Sequence, residues 1–242
     1  MLISGVQKFT ILDYPGKVAC MAFTPFCNFR CGYCHNSEFV LPEKIEQIKH
    51  SFIPEEIFFN FLKERVGFID GVVVSGGEPT LQSDLESFIF KIKELGFLVK
   101  LDTNGSDFKV IKNLIENNLI DFIAMDVKCP IDRYIEFSAE KENNILILQN
   151  NILRSIDLII NSGIDYEFRT TVAKSFLSKE EIFKIGEMIK GAKKYALQNF
   201  RKGESVLDQN FNSSINYGPQ EFEEVSEILK KDFGIGLVEL RK

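Results

Sequence analysis

The sequence predicts an α/β fold in which parallel β-strands alternate with α-helices. Short apolar runs, such as residues 71–75, are followed by amphipathic stretches, such as residues 82–96, and the alternation recurs about six times along the chain. The apolar runs show no regular polar alternation, which is typical of parallel strands covered on both faces. Periodicity leaves a doubly wound sheet and a partial barrel open, and both folds place their chemistry at the carboxyl ends of the strands.

The predicted elements follow from local signals along the chain. The first helix opens with Pro54 and two glutamates, and the second ends at Gly96, a residue favoured just after a helix. Strands are predicted at residues 17–23, 71–75, 97–103, 121–127, 165–172 and 193–200, with a final strand at 234–240. Helices are predicted at residues 54–67, 82–96, 107–118, 144–162, 178–191 and 220–232, and a looser segment at 201–218.

Unusual polar sequences stand at or directly after the carboxyl ends of the predicted strands. They are the cysteine loop after the first strand and then SGGEPT (75–80), DTNG (102–105), DVK (126–128), RTTV (169–172) and LQNFR (197–201). A random scatter of polar residues would not favour one end of every strand. Because the carboxyl ends of parallel strands meet at one edge of a sheet, the sequence predicts that these loops form a single site.

The composition points away from nucleic acid and membrane as partners. The chain has 242 residues, 45% of them hydrophobic, which is enough for a single domain over residues 1–242 with a full core. The formal net charge of −6 disfavours binding to a phosphate backbone, which needs clustered cations. No signal peptide and no run of about 18–20 apolar residues is visible, so we expect a cytoplasmic protein with reduced thiols.

Three of the five cysteines stand close together in the segment CNFRCGYC, as Cys27, Cys31 and Cys34. In a reducing compartment this cluster indicates a metal centre or catalysis rather than disulfides. A structural zinc site usually needs four protein ligands, and no second pair at zinc-site spacing is present. An iron–sulfur cubane held by three thiolates leaves one iron open, so the missing fourth cysteine favours a cluster over zinc or three unrelated thiols. Cys20 and Cys129 stand apart and are expected to be small buried residues.

The cysteine segment, the following HN and the later GGEP resemble the radical S-adenosylmethionine (SAM) superfamily. The opening GVQKFTILDYPGKVACMAFTPFCNFRCGYCHN is similar to activating proteins of anaerobic ribonucleoside-triphosphate reductase, and nearly as similar to pyruvate formate-lyase activating enzymes. The resemblance continues through GGEPTLQ, DTNG, DVK and RTTV to LQNFR and covers about residues 5–201. It implies the radical SAM core, a partial (β/α)6 TIM-type barrel of parallel strands.

The resemblance also implies a set of cofactor-binding residues. Cys27, Cys31 and Cys34 would hold one [4Fe–4S] cluster, and SAM would chelate its open iron. The implied SAM contacts are Gly76, Gly77 and Glu78 at the amino group, Asp102 and Asn104 at the ribose or methionyl part, Lys128 at the carboxylate, and Tyr33, His35 and Asn36 near the adenine. Asp126 would orient the carboxylate or the incoming peptide, and Arg169 would contact the carboxylate or form a structural salt bridge. No side chain is expected to act as a catalytic acid, base or nucleophile, because the cofactors carry the chemistry.

The implied activity is that of a glycyl-radical activating enzyme, a radical SAM oxidoreductase. A one-electron donor such as flavodoxin or ferredoxin would reduce the cluster. Reductive cleavage of SAM would then give a 5′-deoxyadenosyl radical, which would take a hydrogen atom from a glycine of the partner enzyme. Six strand–helix units use almost the whole chain and leave little for a lid, which suits a protein substrate.

Two sequence features favour anaerobic ribonucleoside-triphosphate reductase as the partner. Residues 37–53 contain no cysteine, so no additional cluster is expected there, and LQNFR lacks the Tyr-His expected of a pyruvate formate-lyase activator. The alternatives are a pyruvate formate-lyase-type activase, a radical SAM enzyme acting on a small molecule, and a non-catalytic zinc or cluster-binding module.

Overall fold

The computed structural model describes residues 1–139 and 144–241. The chain divides into two compact units. The first comprises Met1–Asn28, Asn36–Thr103 and Lys109–Ile123, and the second comprises Phe29–His35, Asn104–Phe108 and Ala124–Lys242. The expectation of a single domain stays a prediction.

The secondary structure alternates between strands and helices along the described residues. The strands are β1 (Gly5–Thr10), β2 (Ala19–Thr24), β3 (Gly71–Gly76), β4 (Leu98–Thr103), β5 (Phe122–Asp126), β6 (Asp165–Val172), β7 (Lys194–Asn199) and β8 (Leu237–Arg241). The helices are α1 (Ser37–Val40), α2 (Pro42–Ile48), α3 (Glu55–Lys63), α4 (Leu85–Glu94), α5 (Phe108–Glu116), α6 (Ile145–Asn161), α7 (Lys179–Met188) and α8 (Pro219–Phe233).

The first unit is organised around three parallel strands. β2, β3 and β4 are parallel neighbours, and β1 runs antiparallel to β2. β2 and β3 pair without a shift over their whole lengths, so that Thr24 lies beside Gly76. The valines at 72–74 are fully buried, as expected for a strand covered on both faces. The matched register brings the carboxyl ends of β2 and β3 to the same level, where the cysteine loop and the SGGEPT turn begin.

The second unit contains the parallel strands β6, β7 and β8, paired in that order. Phe168 in β6 and Tyr195 in β7 are register neighbours and fully buried. Helices α7 and α8 approach closely at Gly186, where a Cβ would lie 2.6 Å from Leu229 Cδ2. The helix α8 ends at Gly234, which has the left-handed conformation that favours glycine, and the chain then enters β8.

The predicted α/β fold with parallel strands is confirmed, and each predicted strand and helix is present with ends that differ by a few residues. The sequence pattern did not predict β1, because its central residues are exposed and it lacks a continuous apolar run. It also did not predict α1 and α2, which have four and seven residues and are too short to show clear helical periodicity. Among the described residues, no helix combines the length and apolar character that crossing a membrane would require.

The start of α7 offers a local test of the fold. The Oγ of Ser178 accepts a hydrogen bond from the Glu181 N–H, and the Glu181 carboxylate accepts one from the Ser178 N–H, which forms a capping box. We expect Ser178→Ala to lower the free energy of unfolding by about 1 kcal/mol in urea denaturation. The exposed Ser87 of α4 is the control, because Ser87→Ala should change that free energy by less than about 0.5 kcal/mol. Equal losses would contradict the capping assignment.

Candidate metal and cofactor site

The GGE turn at the end of β3 lies against the backbone that leads into the cysteine loop. The N–H of Gly77 donates to the Thr24 carbonyl at 2.7 Å, and the N–H of Glu78 donates to the Phe26 carbonyl at 2.7 Å. A Cβ on Gly76 would lie 2.3 Å from the Thr24 nitrogen, and one on Gly77 would lie 2.0 Å from the Phe26 oxygen. The two glycines are therefore needed for two backbones to touch. This contact fixes the start of the cysteine loop.

Cys27 is half-buried and follows a residue with an unusual backbone conformation. Phe26 has a φ of +70°, which is costly for a residue with a side chain. Its N–H donates to the Phe39 carbonyl at 2.7 Å. The Asn36 side chain donates to the Gly76 carbonyl at 3.3 Å. Cys27, Asn36 and the GGE turn therefore belong to one hydrogen-bonded arrangement in the first unit.

The carboxylate of Glu78 is the buried centre of this turn, with an exposure of 1%. Its Oε1 accepts hydrogen bonds from the N–H and the hydroxyl of Thr80, at 3.1 and 2.6 Å. The same oxygen accepts a bond from the Thr103 hydroxyl at 2.7 Å. Glu78 therefore ties the end of β3 to the end of β4 and positions the turn. Its contact with the amino group of SAM stays a prediction.

Asp102 at the end of β4 is held by a buried lysine. One carboxylate oxygen pairs with the ammonium of Lys100, whose side chain is 1% exposed. The other oxygen accepts a hydrogen bond from the Ser75 hydroxyl at 3.2 Å. The Lys100 ammonium also lies 5.9 Å from the centre of the Phe122 ring. A lysine is rarely fully buried unless it is paired, and this contact fixes the position of the Asp102 carboxylate near the end of β4.

Asn104 lies in the second unit and shapes a local turn. Its side-chain oxygen accepts a hydrogen bond from the Ser106 N–H at 2.9 Å, and the residue is 4% exposed. The next residue, Gly105, has a φ of +78°, and its carbonyl accepts a bond from the Ser155 hydroxyl at 2.9 Å. The predicted contact of Asn104 with SAM stays a prediction.

Cys31 and Cys34 share one turn of the second unit. The N–H of Cys34 donates to the Cys31 carbonyl at 2.9 Å. The N–H of Asp208 donates to the carbonyl of Gly32, between the two cysteines, at 2.8 Å. A Cβ on Gly32 would lie 2.3 Å from the Phe211 ring, so this glycine lets the ring pack directly on the turn. The turn is thus held by backbone bonds and by an aromatic ring.

Tyr33 and His35 flank Cys34 and differ in exposure. Tyr33 is 5% exposed, and its ring stacks on Phe176 with 5.2 Å between the ring centres. His35 is exposed and stacks on Phe200 at 5.9 Å. The adenine contacts predicted for Tyr33, His35 and Asn36 stay predictions.

Asp126, Lys128 and Arg169 form one ion cluster in the second unit. Lys128 Nζ lies 2.9 Å from Asp126 Oδ2, and Arg169 Nε lies 2.7 Å from Asp126 Oδ1. Burial alone would raise the pKa of Asp126, but Arg169 and then Lys128 hold that pKa well below its usual range. Burial alone would lower the pKa of Lys128, but Asp126 and then Cys31 raise it. All three groups are therefore charged, and the cluster carries one net positive charge.

The Cys31 thiol is suited to metal binding rather than to free thiolate chemistry. Burial raises the pKa of Cys31 to about 11, and the nearby Lys128 ammonium offsets part of that rise. A metal ion deprotonates a coordinating thiol outright. The charge of Lys128 also acts on Cys34. The second unit therefore places a fixed cation beside two thiols that would become anionic on binding a metal.

The donor chemistry fits a cluster held by thiolates. Among the described residues, none of the five cysteines forms a disulfide, and Cys20 and Cys129 are fully buried as expected. In the part of the chain that the structure describes, no three His, Cys, Asp or Glu side chains are arranged to hold a metal ion. The assignment of Cys27, Cys31 and Cys34 stays a prediction. It is supported by three cysteines outside any disulfide in one stretch of sequence and by the Lys128 ammonium near Cys31 and Cys34, which suit an iron–sulfur centre.

Sequence reasoning missed two sets of residues that position the site. The segment at 201–218 was assigned no role, yet the N–H groups of Leu207 and Asp208 bind the cysteine turn, with Leu207 donating to the Cys34 carbonyl at 3.0 Å. No periodicity marks this segment. The second omission is Lys100, and here a signal existed, because a lysine interrupts the otherwise apolar run FLVKL.

Comparison with known proteins identifies relatives of this chain. A family model described as the radical SAM superfamily matches residues 21–189. A protein of Methanocaldococcus jannaschii with the provisional name of a glycyl-radical enzyme activating enzyme is 39% identical over 233 residues, which are 95% of this chain and 92% of that protein. The pyruvate formate-lyase-activating enzyme of Streptococcus mutans is 30% identical over 139 residues, which are 52% of this chain and 50% of that enzyme.

A solved structure shares the fold. The crystal structure of Streptococcus suis SuiB bound to S-adenosylmethionine matches 91% of this chain with a TM-score of 0.62 and 13% sequence identity. This chain spans about half the length of SuiB and of the Streptococcus mutans enzyme, 51% and 50%. At this identity the likeness shows the fold alone, and it agrees with the predicted radical SAM core.

The backbone contact at Gly77 can be tested by adding one methyl group. We expect Gly77→Ala to lower the free energy of unfolding by about 3 kcal/mol, because the added Cβ meets a backbone oxygen that cannot move aside. The measurement is urea denaturation of the metal-free protein. Gly5→Ala is the control, because its Cβ would be 3.5 Å from the nearest side-chain atom. A loss at Gly77 no larger than that at Gly5 would contradict the close contact.

The ion cluster predicts a pH dependence. Because the pKa of Asp126 in the folded protein lies below its unfolded value of about 3.9, its contribution to stability is complete above about pH 5 and is lost as the pH falls below about 4. We expect the unfolding free energy of the wild type to fall more steeply between pH 5 and 3 than that of Asp126→Asn, measured by urea denaturation at each pH.

The same variant should also lose stability at neutral pH. Asp126→Asn leaves two cations without their anion, so we expect a loss of about 2 kcal/mol at pH 7. The exposed Asp132 is the control, because Asp132→Asn should cost less than about 0.5 kcal/mol. Parallel pH profiles for the wild type and Asp126→Asn would contradict the assigned ion cluster.

Proposed function

Because the chain belongs to the radical SAM superfamily and groups with its glycyl-radical enzyme activases, we propose that it activates a glycyl-radical enzyme, and that this enzyme is an anaerobic ribonucleoside-triphosphate reductase. The proposal combines two assignments. One is the cofactor chemistry, for which the cysteine loop and the GGE turn are the support. The other is the partner, for which the sequence of the loops is the support.

The observation that carries the cofactor assignment is the contact of the GGE turn with residues 24–26. The turn is hydrogen-bonded to the backbone immediately before Cys27, and both glycines are sterically required there. A structural zinc site has no need of such a turn, because its ligands alone satisfy the metal. An open iron does need a neighbouring surface that can hold the group bound to it.

The proposed metal ligands are Cys27, Cys31 and Cys34. When bound by these residues, the [4Fe–4S] cluster would supply the electron for reductive cleavage of SAM, which would provide the oxidant that takes a hydrogen atom from a glycine of the partner. The protein contributes binding, orientation and exclusion of water. Lys128 offsets the negative charge that the thiolates would carry.

The ion cluster and the strand ends are suited to the functional groups of SAM. SAM carries a carboxylate, and Lys128 and Arg169 bring a net positive charge that Asp126 only partly balances. SAM also carries ribose hydroxyls and an amino group, for which the Asp102 carboxylate is a hydrogen-bond acceptor. The contact with Lys100 fixes the orientation of that carboxylate.

The choice of partner rests on two features of the sequence. No cysteine occurs at residues 37–53, which supports a single cluster, and LQNFR has no Tyr-His pair. These features favour the reductase over pyruvate formate-lyase. A radical SAM enzyme that acts on a small molecule is the third candidate. The electron donor is proposed to be a one-electron carrier such as flavodoxin or ferredoxin.

The cofactor assignment is tested by anaerobic reconstitution with iron and sulfide. After reduction with dithionite and addition of SAM, we expect 5′-deoxyadenosine by chromatography. Cys27→Ala, Cys31→Ala and Cys34→Ala should each abolish the product and lower the bound iron. Cys20→Ala is the matched control and should retain both, because Cys20 is a fully buried core residue of β2. Iron-loaded protein that forms no product would contradict the assignment.

The partner assignment is tested by electron paramagnetic resonance (EPR). The reconstituted enzyme is mixed with SAM, reductant and either the reductase or pyruvate formate-lyase of the source organism. We expect the doublet of a glycyl radical with the reductase alone. A radical formed only on the lyase would replace the proposed partner. SAM cleavage without a radical on either protein would favour the small-molecule alternative.

A further inference from the structure

Lys100 is a buried cation in the middle of β4. The residue is 1% exposed, and its neighbours Val99 and Leu101 are fully buried. Burying an ammonium group is costly, and a leucine or methionine would fill the same space without that cost. Among the described residues, no other lysine is buried to this extent. The position therefore calls for a reason that core packing does not supply.

The partner of Lys100 is Asp102, two residues along the same strand. Because side chains alternate between the two faces of a strand, residues 100 and 102 lie on the same face. The ammonium pairs with one carboxylate oxygen of Asp102. The Asp102 side chain is 12% exposed, whereas that of Lys100 is hidden. The pair therefore joins a cation in the interior to a carboxylate that stays accessible at the carboxyl end of β4.

Stability alone does not account for this pair. A buried ion pair is often replaceable by apolar residues of similar volume without loss of stability, because the cost of removing both charges from water offsets their attraction. The ring of Phe122 lies near the Lys100 ammonium, with its centre 5.9 Å away, so the site already offers apolar surface. The pair is better explained by its effect on the Asp102 carboxylate.

Asp102 is also tied to the GGE turn. Its second oxygen accepts a hydrogen bond from the hydroxyl of Ser75, the first residue of SGGEPT, at 3.2 Å. The next residue, Thr103, donates to Glu78 Oε1 at 2.7 Å. A carboxylate has about four acceptor positions, so the contacts with the ammonium and with Ser75 hold it without using all of them. The carboxylate is therefore fixed relative to the turn.

A carboxylate that is already fixed binds a hydrogen-bond donor with less loss of freedom. Ordering a flexible side chain on binding costs free energy, and a supporting contact removes that cost in advance. Without the ion pair, SAM itself would have to order the Asp102 side chain. Because Lys100 is hidden, it acts through Asp102 and not by touching SAM.

We propose that Lys100 is a positioning residue for the cofactor: by holding the Asp102 carboxylate at the carboxyl end of β4, it raises the affinity of the protein for SAM. This inference rests on the proposed function in that SAM must bind at Asp102. It adds a residue to which the sequence analysis gave no role and which makes no contact with SAM.

The test is the binding of SAM to the reconstituted protein without a reductant, measured by isothermal titration calorimetry under anaerobic conditions. SAM is not cleaved without an electron, so the measurement reports affinity and not turnover. We expect Lys100→Met to weaken SAM binding about fivefold at unchanged iron content, because the released carboxylate must then be ordered on binding. Urea denaturation shows first that each variant folds. If Lys100→Met does not fold, Lys100→Leu replaces it with the same expectation.

Lys93→Met is the matched control. Lys93 Nζ lies 2.7 Å from each carboxylate oxygen of Asp121, and Asp121 accepts the N–H of Val99 near the start of β4 at 2.7 Å. This ion pair belongs to the same unit but lies near the amino end of the strand. Lys93→Met should therefore keep the wild-type affinity for SAM.

Asp102→Asn separates an action through Asp102 from a general loss of structure. This variant should bind SAM more weakly than the wild type. Adding Lys100→Met to it should change the affinity by less than about twofold, because no carboxylate remains to be positioned. The same fivefold loss with and without Asp102 would mean that Lys100 acts by another route, and the proposal would be overturned.

Unchanged affinity in folded Lys100→Met would also overturn the proposal, because the ion pair would then serve structure alone. In both of these outcomes the wild type still binds SAM, so the proposed function stands. A wild type that holds iron but binds no SAM would overturn the inference and the proposed function together.

Discussion

The contact between two backbones at the end of β3 is the constraint on which the arrangement of the first unit depends. Because β2 and β3 are paired in register, their carboxyl ends stop at the same level. The segments that follow β2 and β3 then leave the sheet while their backbones stay in contact. Only glycine at 76 and 77 allows the turn to donate hydrogen bonds to the carbonyls at 24 and 26. The loop that carries Cys27 begins from this fixed point.

Paired charge is the corresponding constraint in the second unit. Asp126 holds two half-buried cations, Lys128 just after β5 and Arg169 within β6, and each charge would be costly there without the others. Lys128 also acts on the cysteine turn. Its ammonium lowers the pKa of Cys31 and so offsets part of the rise that burial causes. A fixed cation thus lies near both thiols of this turn.

The fold was predictable from the sequence because most of its strands are continuous apolar runs and its helices carry clear periodicity. In the candidate site, the close backbone approach at Gly76 and Gly77 was predictable because only glycine fits there, while the roles of the three cysteines stay predictions. The burial of Lys100 was not predicted because it depends on an ion pair with Asp102, two residues away. A pattern of apolar residues does not show which charged side chains form ion pairs. Leu207 and Asp208 escaped because they act through backbone N–H groups, which any residue except proline provides. Such contacts leave no trace in residue type.

The central claim is that three thiolates leave one iron of the cluster open to SAM. The most direct test is an EPR titration of the reduced, reconstituted protein with SAM under conditions in which cleavage is slow. The account predicts that SAM alters the spectrum of the reduced cluster and that the change is complete at one equivalent. A spectrum that SAM leaves unchanged would mean that no iron is open to SAM, and the account of the site would be wrong.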